Sequence, residues 1–281
     1  MMIATLLAGR ESASAIIVPS VPFATQVAAY TQGTVAAYDT GYDDTTDWTG
    51  IPTGTTGAPE GAPGVVTPFY PPFDTSQILL IGNGGHLTLQ FPTPVPVKSG
   101  PFLGIFSTCG FVDSDGNGDV GSTAATFGGG LATVQVSQDG THWFSLGQQN
   151  IDVPQNFYLN AGPYDVVPPA DSYRSDYGLP YTGGLSAFAN ESDAQVIATL
   201  NGSAGGTWLD ISSTGLSTIR YVDFSPPANA PSNWQLAIEA VSTVGPSQVP
   251  EPGGISTLIV LAMLLKRSKI EDRKLKIEDR E

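Results

Sequence analysis

The stretch Asp113-Ser114-Asp115-Gly116-Asn117-Gly118-Asp119-Val120 sets oxygen-bearing side chains at every second position. Counted from Asp113, the residues Asp113, Asp115, Asn117 and Asp119 take positions 1, 3, 5 and 7 of a twelve-residue calcium loop, with Gly118 at position 6 and apolar Val120 at position 8. Hard oxygens at that spacing can wrap one Ca²⁺, so these four residues are the candidate metal ligands and Ca²⁺ the candidate cofactor. The pattern is incomplete: position 9 is Gly121, and position 12, usually a bidentate Glu, is Ala124. A site here needs a carboxylate from elsewhere. The other reading is a solvated Asp/Gly loop that joins two strands.

A second concentration of chemistry lies in the connection 156–184, which holds five of the ten tyrosines: Tyr158, Tyr164, Tyr173, Tyr177 and Tyr181. Aromatic faces beside Asp, Ser and Arg suit flat sugar rings, by stacking plus hydrogen bonds. Tyr164, Tyr173, Tyr177 and Tyr181 are therefore the candidate ligand-binding residues, with polysaccharide the candidate partner. The same side chains can equally pin a Pro-rich loop to the body with no ligand involved. For catalysis the inventory is thin. His86 and His142, both expected on strands, lack metal spacing, and no nucleophile elbow or phosphate loop occurs. Before the C-terminal segment the only glutamates past Glu11 are Glu60, Glu191 and Glu239, in no catalytic context. A non-enzymatic protein is expected, and a polysaccharide-degrading enzyme ranks behind both a sugar binder and a purely structural matrix protein.

The elements that must carry these loops read as strands. In ILLIGNGGHLTLQF, Leu87, Leu89 and Phe91 point one way and His86, Thr88 and Gln90 the other. In ATVQVSQDGTHWFSLG, Val134 and Val136 alternate with Gln135 and Ser137, and Asp139-Gly140 suggests a tight primed turn. STIRYVDFS and NWQLAIEAVSTV add two more strands, with Trp234, Leu236 and Ile238 on one face. No convincing helix is expected before the C-terminal apolar run. The expected fold is all-β, an antiparallel β-sandwich of jelly-roll type, followed by a short C-terminal apolar anchor helix.

Composition narrows the partners. The chain of 281 residues carries 33 Gly, 23 Pro and a net charge of −15. Seven of its 11 Lys/Arg fall at or after Lys266, so residues 1–265 hold four cations against 21 acids and sum to −17. Such a surface repels phosphate backbones, so nucleic acid is not an expected partner, whereas neutral sugars and divalent cations are compatible. The single cysteine, Cys109, allows no internal disulfide and reads as a small buried hydrophobe.

The two ends point outward. MMIATLLAGRESASA has an apolar stretch and an Ala13-Ser14-Ala15 cleavage pattern, so residues 1–15 read as a truncated secretory signal. At the other end, Val249-Pro250-Glu251-Pro252 precedes Gly253-Gly254, the apolar run 255–265 and the basic cluster Lys266, Arg267 and Lys269. That order follows the positive-inside logic of a C-terminal anchor. It resembles the PEP-CTERM sorting signal of Gram-negative bacteria. The resemblance implies recognition by an exosortase-type membrane transpeptidase, membrane contact through 255–265 before processing, and delivery through the inner membrane to the outer surface or beyond. The run of eleven is short against the roughly 20 residues that cross a bilayer. The tail 270–281 repeats Lys-Ile-Glu-Asp-Arg and suggests no chemistry.

Between the ends, residues 67–91, 134–147, 208–225 and 234–241 resemble a discoidin-like, galactose-binding-type cell-surface domain. This patchwork implies the sandwich fold and leaves the ligand open. The expected organisation is a β-sandwich over 16–245, a sorting segment over 246–269 and the charged tail. The expected role is that of an exported surface or matrix protein that binds or structures extracellular polysaccharide.

Overall fold

The computed structural model describes residues 21–57 and 63–245. Their strands are β1 (Gln26–Thr31), β2 (Leu79–Gly82), β3 (His86–Pro96), β4 (Pro101–Ser107), β5 (Gly110–Phe111), β6 (Thr126–Phe127), β7 (Gly130–Ser137), β8 (Trp143–Ile151), β9 (Thr207–Asp210), β10 (Thr218–Ser225) and β11 (Gln235–Thr243), with one α-helix, α1 (Asp193–Leu200). A five-stranded sheet runs β1-β3-β10-β7-β8 and a four-stranded sheet β2-β11-β4-β9. Every strand pairing is antiparallel. The expected all-β sandwich is the observed architecture.

Period-two alternation builds its core, because successive strand side chains face opposite ways. Leu87, Leu89 and Phe91 from β3, Val134 and Val136 from β7 and Val222 and Phe224 from β10 face Leu103 and Ile105 from β4 and Leu236 and Ile238 from β11, all fully or almost fully buried. Each such side chain contributes about 1.5–3 kcal/mol of transfer free energy. Trp234 closes one end, its indole N–H donating to Leu131 O at 2.7 Å.

Three features depart from the sequence reading. The turn after β7 is not a two-residue primed turn, since Ser137 pairs with Trp143 across a five-residue loop. Gly140 has φ +78°, and no non-glycine residue of the loop shares a positive φ. Asp139 organises the loop instead, its Oδ1 accepting the N–H groups of Thr141 and His142, each at 2.8 Å. His142 consequently lies in the loop, not on a strand, with Nδ1 2.7 Å from Asp139 Oδ2.

The second departure is α1. Ser192 caps it in a reciprocal box with Gln195, whose Oε1 accepts the Ser192 N–H at 2.9 Å, and Asn201 ends it at φ +49°. The Ser-Asp-Ala-Gln spelling carries that start signal, but eight residues are too few to show a helical period.

The third is a layer of loops over the outer face of the four-stranded sheet. A bulge between Ile238 and Ala240 shifts the phase of β11. Leu236, Ile238 and Val241 enter the inter-sheet core, whereas Ala237 and Ala240 pack beneath the loops. Phe106 and Ala240 meet Val65, Val66, Phe157 and Tyr177 there, and Phe111 meets Phe69, Phe188 and Val196. Cys109 is fully buried, as expected, and burial pushes its thiol up to about 12. The leader (1–15), the sorting residues Val249–Pro252, the apolar run with its expected anchor helix and the basic cluster lie outside the described residues.

Candidate functional site

The two sequence candidates, the Asp loop and the Tyr connection, meet at one hydrogen bond. Tyr164 Oη donates to Asp113 Oδ2 at 2.7 Å. The same carboxylate organises its own loop, Oδ1 accepting from Gly116 N at 2.9 Å and Oδ2 from Gly118 N at 2.7 Å. Gly118 has to be glycine: its φ is +82°, and a Cβ there would lie 2.5 Å from Pro163 Cγ. That contact seats the Asp loop against the residue before Tyr164. Further along, Val120 N donates to Glu191 O and Asp193 N to Gly118 O, each at 2.8 Å, which docks the loop on the start of α1.

Tyr164 is held from the other side too. Thr67 Oγ1 donates to Pro163 O at 2.7 Å, Val65 N to Asp165 O at 2.8 Å, and Gly162 N to Asp165 Oδ2 at 2.8 Å. Its ring lies 6.4 Å from Tyr70 and 6.3 Å from Phe69, edge-on to both, yet remains 41% exposed. Val112, Val166 and Val167 are exposed nearby in sequence on the same two loops. An aromatic face is thus presented to solvent on a backbone fixed at both ends, at little ordering cost to a ligand.

Charge around this ring is uniformly negative. Asp113 is partly desolvated, which opposes ionisation, but its hydrogen bonds, that of Tyr164 foremost, prevail and hold it at about 2. Burial and the neighbouring charge of Asp165 push Asp193 up to about 6. The Tyr164 hydroxyl is raised by burial, by its bond to Asp113 and by the charges of Asp113, Asp115 and Asp193. Among the described residues the only ion pair is His142–Asp139, so this carboxylate group has no cationic side chain against it.

As a calcium loop the geometry is incomplete. Asn117 Nδ2 donates to Asp115 Oδ2 at 3.0 Å, and Asn117 Oδ1 accepts from Asp119 N at 2.8 Å. With both Asp113 oxygens also engaged, a cation that took Asp113, Asp115, Asn117 and Asp119 together would displace these bonds. Among the described residues no group of three or more His, Cys, Asp and Glu is arranged to hold a metal ion.

The four candidate tyrosines separate. Tyr164 and Tyr173 are exposed, at 41% and 65%, while Tyr177 and Tyr181 are buried, at 7% and 9%. For these last two the ligand-binding expectation is corrected: no ring face is left for a sugar. Tyr177 packs 4.7 Å from Phe106 and donates to Gln155 Oε1 at 2.9 Å; Tyr181 packs 5.0 Å from Phe188. Tyr173 sits apart, its N–H bonded to Asn160 Oδ1 at 3.1 Å, with no ring contact to Tyr164 among the described residues.

Sequence reasoning missed Asp165, the chain neighbour of Tyr164, and Tyr70 and Asp193, which the fold brings toward Tyr164 from two separate segments. It also missed Glu239. Set at the β11 bulge and 1% exposed, Glu239 points into the loop layer. Its Oε1 accepts from Thr53 N at 3.2 Å, Gln155 bonds it from the loop before Tyr158, and Oε2 has no partner. Trp48 Nε1 donates to its backbone carbonyl at 3.0 Å. Burial raises the carboxyl to about 7, against an ordinary 4.5, more than these bonds lower it. Alternation alone marks Glu239 as facing away from the inter-sheet core, but only the loop layer makes it buried.

In comparison with known proteins, no family model and no curated protein sequence matches the chain.

Proposed function

We propose that the chain is an exported, non-catalytic surface or matrix protein that binds extracellular polysaccharide at the Tyr164–Asp113 site. The hydrogen bond between Tyr164 and Asp113 carries this reading, because it couples an exposed ring to a carboxylate in one rigid unit. The ring stacks on a sugar face, and the surrounding carboxylates accept sugar hydroxyls. Because Asp113, Asp115, Asp165 and Asp193 surround it without a cation, the fitting ligand is a neutral polymer, and uronate-rich chains are repelled. The PEP-CTERM-like segment supplies the address: exosortase-type processing at Val249–Pro252, membrane contact through 255–265 and release to the surface of a Gram-negative cell. The discoidin-like resemblance supports the same class of role.

The test is retention of the full chain on a panel of insoluble polysaccharides, with calcium and with chelator, beside Tyr164→Ala and Tyr173→Ala. Retention on a neutral polymer, lost at least tenfold in Tyr164→Ala and kept in Tyr173→Ala, supports the reading. Loss with chelator adds Ca²⁺ on the Asp113 loop as its cofactor. Absence of retention on every polymer favours a structural matrix protein without ligand.

A further inference from the structure

We propose that two copies of the chain pair antiparallel through β8, joining their five-stranded sheets edge to edge. This does not rest on the carbohydrate reading. Among the described residues, the two large sheets have four edge strands, of which three are guarded. β1 has six residues and a bulge between Val27 and Ala29. β2 has four, and its Leu80 is engaged on both polar groups, N to Tyr42 O at 2.9 Å and O from Tyr30 Oη at 2.7 Å. β9 has four. β8 differs in having nine residues, Trp-Phe-Ser-Leu-Gly-Gln-Gln-Asn-Ile, with neither proline nor charge. Sheet edges are normally protected by shortness, proline, charge or a bulge, and β8 has only the bulge at Leu146. Among the described residues, beyond β7 its backbone groups bond only to side chains: Gly147 N to Ser145 Oγ, Leu146 O to Gln149 Nε2 and Asn150 O to Thr207 Oγ1.

A second copy is the occupant that fits. The described residues carry 18 Asp/Glu against Lys98, Arg174 and Arg220, so most faces repel an identical chain. The strip Trp143–Ile151 is where two copies can approach without like charges meeting. Antiparallel pairing of identical strands is two-fold symmetric, so each unpaired N–H meets a C=O of the same strip. Phe144, opposite buried Val136 and so on the inward face, is 38% exposed, and strand addition would cover it. One strand of this length is about 30 Å long. A strip so narrow buries less than the roughly 1,200 Å² of the smallest stable interfaces, so pairing is weak in dilute solution and forms where copies are crowded.

Sedimentation equilibrium of the full chain from micromolar to millimolar concentration tests this, beside the double variant S145E/Q148E. Both positions are exposed and lie opposite Gln135 and Thr133 on the outward face, and an unchanged Tm verifies that the variant keeps the fold despite the loss of the Gly147 N–Ser145 Oγ bond. The expected result is a monomer–dimer equilibrium whose Kd rises at least tenfold in the variant, with β8 amides exchanging more slowly at high concentration in the wild type only. A monomer throughout the range, or a dimer indifferent to the two glutamates, overturns the proposal.

Discussion

At the scale of single residues, two carboxylates respond to their surroundings in opposite directions. Asp113 is held down by hydrogen bonds, chiefly from the Tyr164 hydroxyl. In Tyr164→Phe that donor is gone, and the Asp113 titration followed by carboxyl NMR should move up from about 2 toward its ordinary 3.8. An unmoved Asp113 would mean that the bond does not organise the site. Glu239 is pushed the other way. The unfolded chain releases its proton near 4.5 and the folded chain near 7, so the folded state holds the proton more tightly between those values. The contribution of this group to stability is therefore fully present below about 4.5 and is lost as pH rises through 7, a change of about 3 kcal/mol. Glu239→Gln keeps the shape and removes the titration. Its Tm should exceed the wild type's at pH 8 and lose the advantage at pH 5, as differential scanning at both values would reveal.

At the scale of elements, the strands were legible because each alternates apolar and polar residues against a buried face. The strands on either side of Asn83–Gly85 and the β7–β8 hairpin were found where expected, but β2 and β3 enter different sheets instead of pairing with each other, and Asp139 builds a wider loop than a primed turn. What escaped was set by short signals or distant contacts. α1 is announced only by Ser192 and Gln195, and Ser192→Ala should cost about 1 kcal/mol. Because Glu191–Asp193 anchors the Asp loop, that variant should also speed amide exchange at Gly118 and Val120, and unchanged exchange there would detach the loop from the helix. The site was half legible. Tyr164 and Asp113 were each singled out, but their meeting depends on Gly118 packing on Pro163, a contact between segments 45 residues apart. Tyr177 and Tyr181 look in sequence like their exposed neighbours. Only the outer loop layer, which strand periodicity does not encode, buries them.

At the scale of the whole molecule, the sandwich, its acidic surface and the proposed C-terminal address are the parts that the proposed role combines. The loop layer gives the four-stranded sheet a second hydrophobic face and carries the candidate site, while the five-stranded sheet presents the neutral edge of β8. Export is tested by fusing 247–281 to a secreted reporter in a host that has an exosortase. Processing in that host, lost when Pro250 and Glu251 are both changed to Ala, is the expected outcome; equal handling of the two fusions would remove the address.

The most direct measurement of a single Tyr164–Asp113 site is a double-mutant cycle. Affinity for a soluble oligosaccharide of the retained polymer would be compared in the wild type, Tyr164→Ala, Asp113→Asn and the double variant. One coupled site predicts that each single change weakens binding at least tenfold and that the double variant is little weaker than either. Fully additive losses, or binding untouched by Tyr164→Ala, would contradict it.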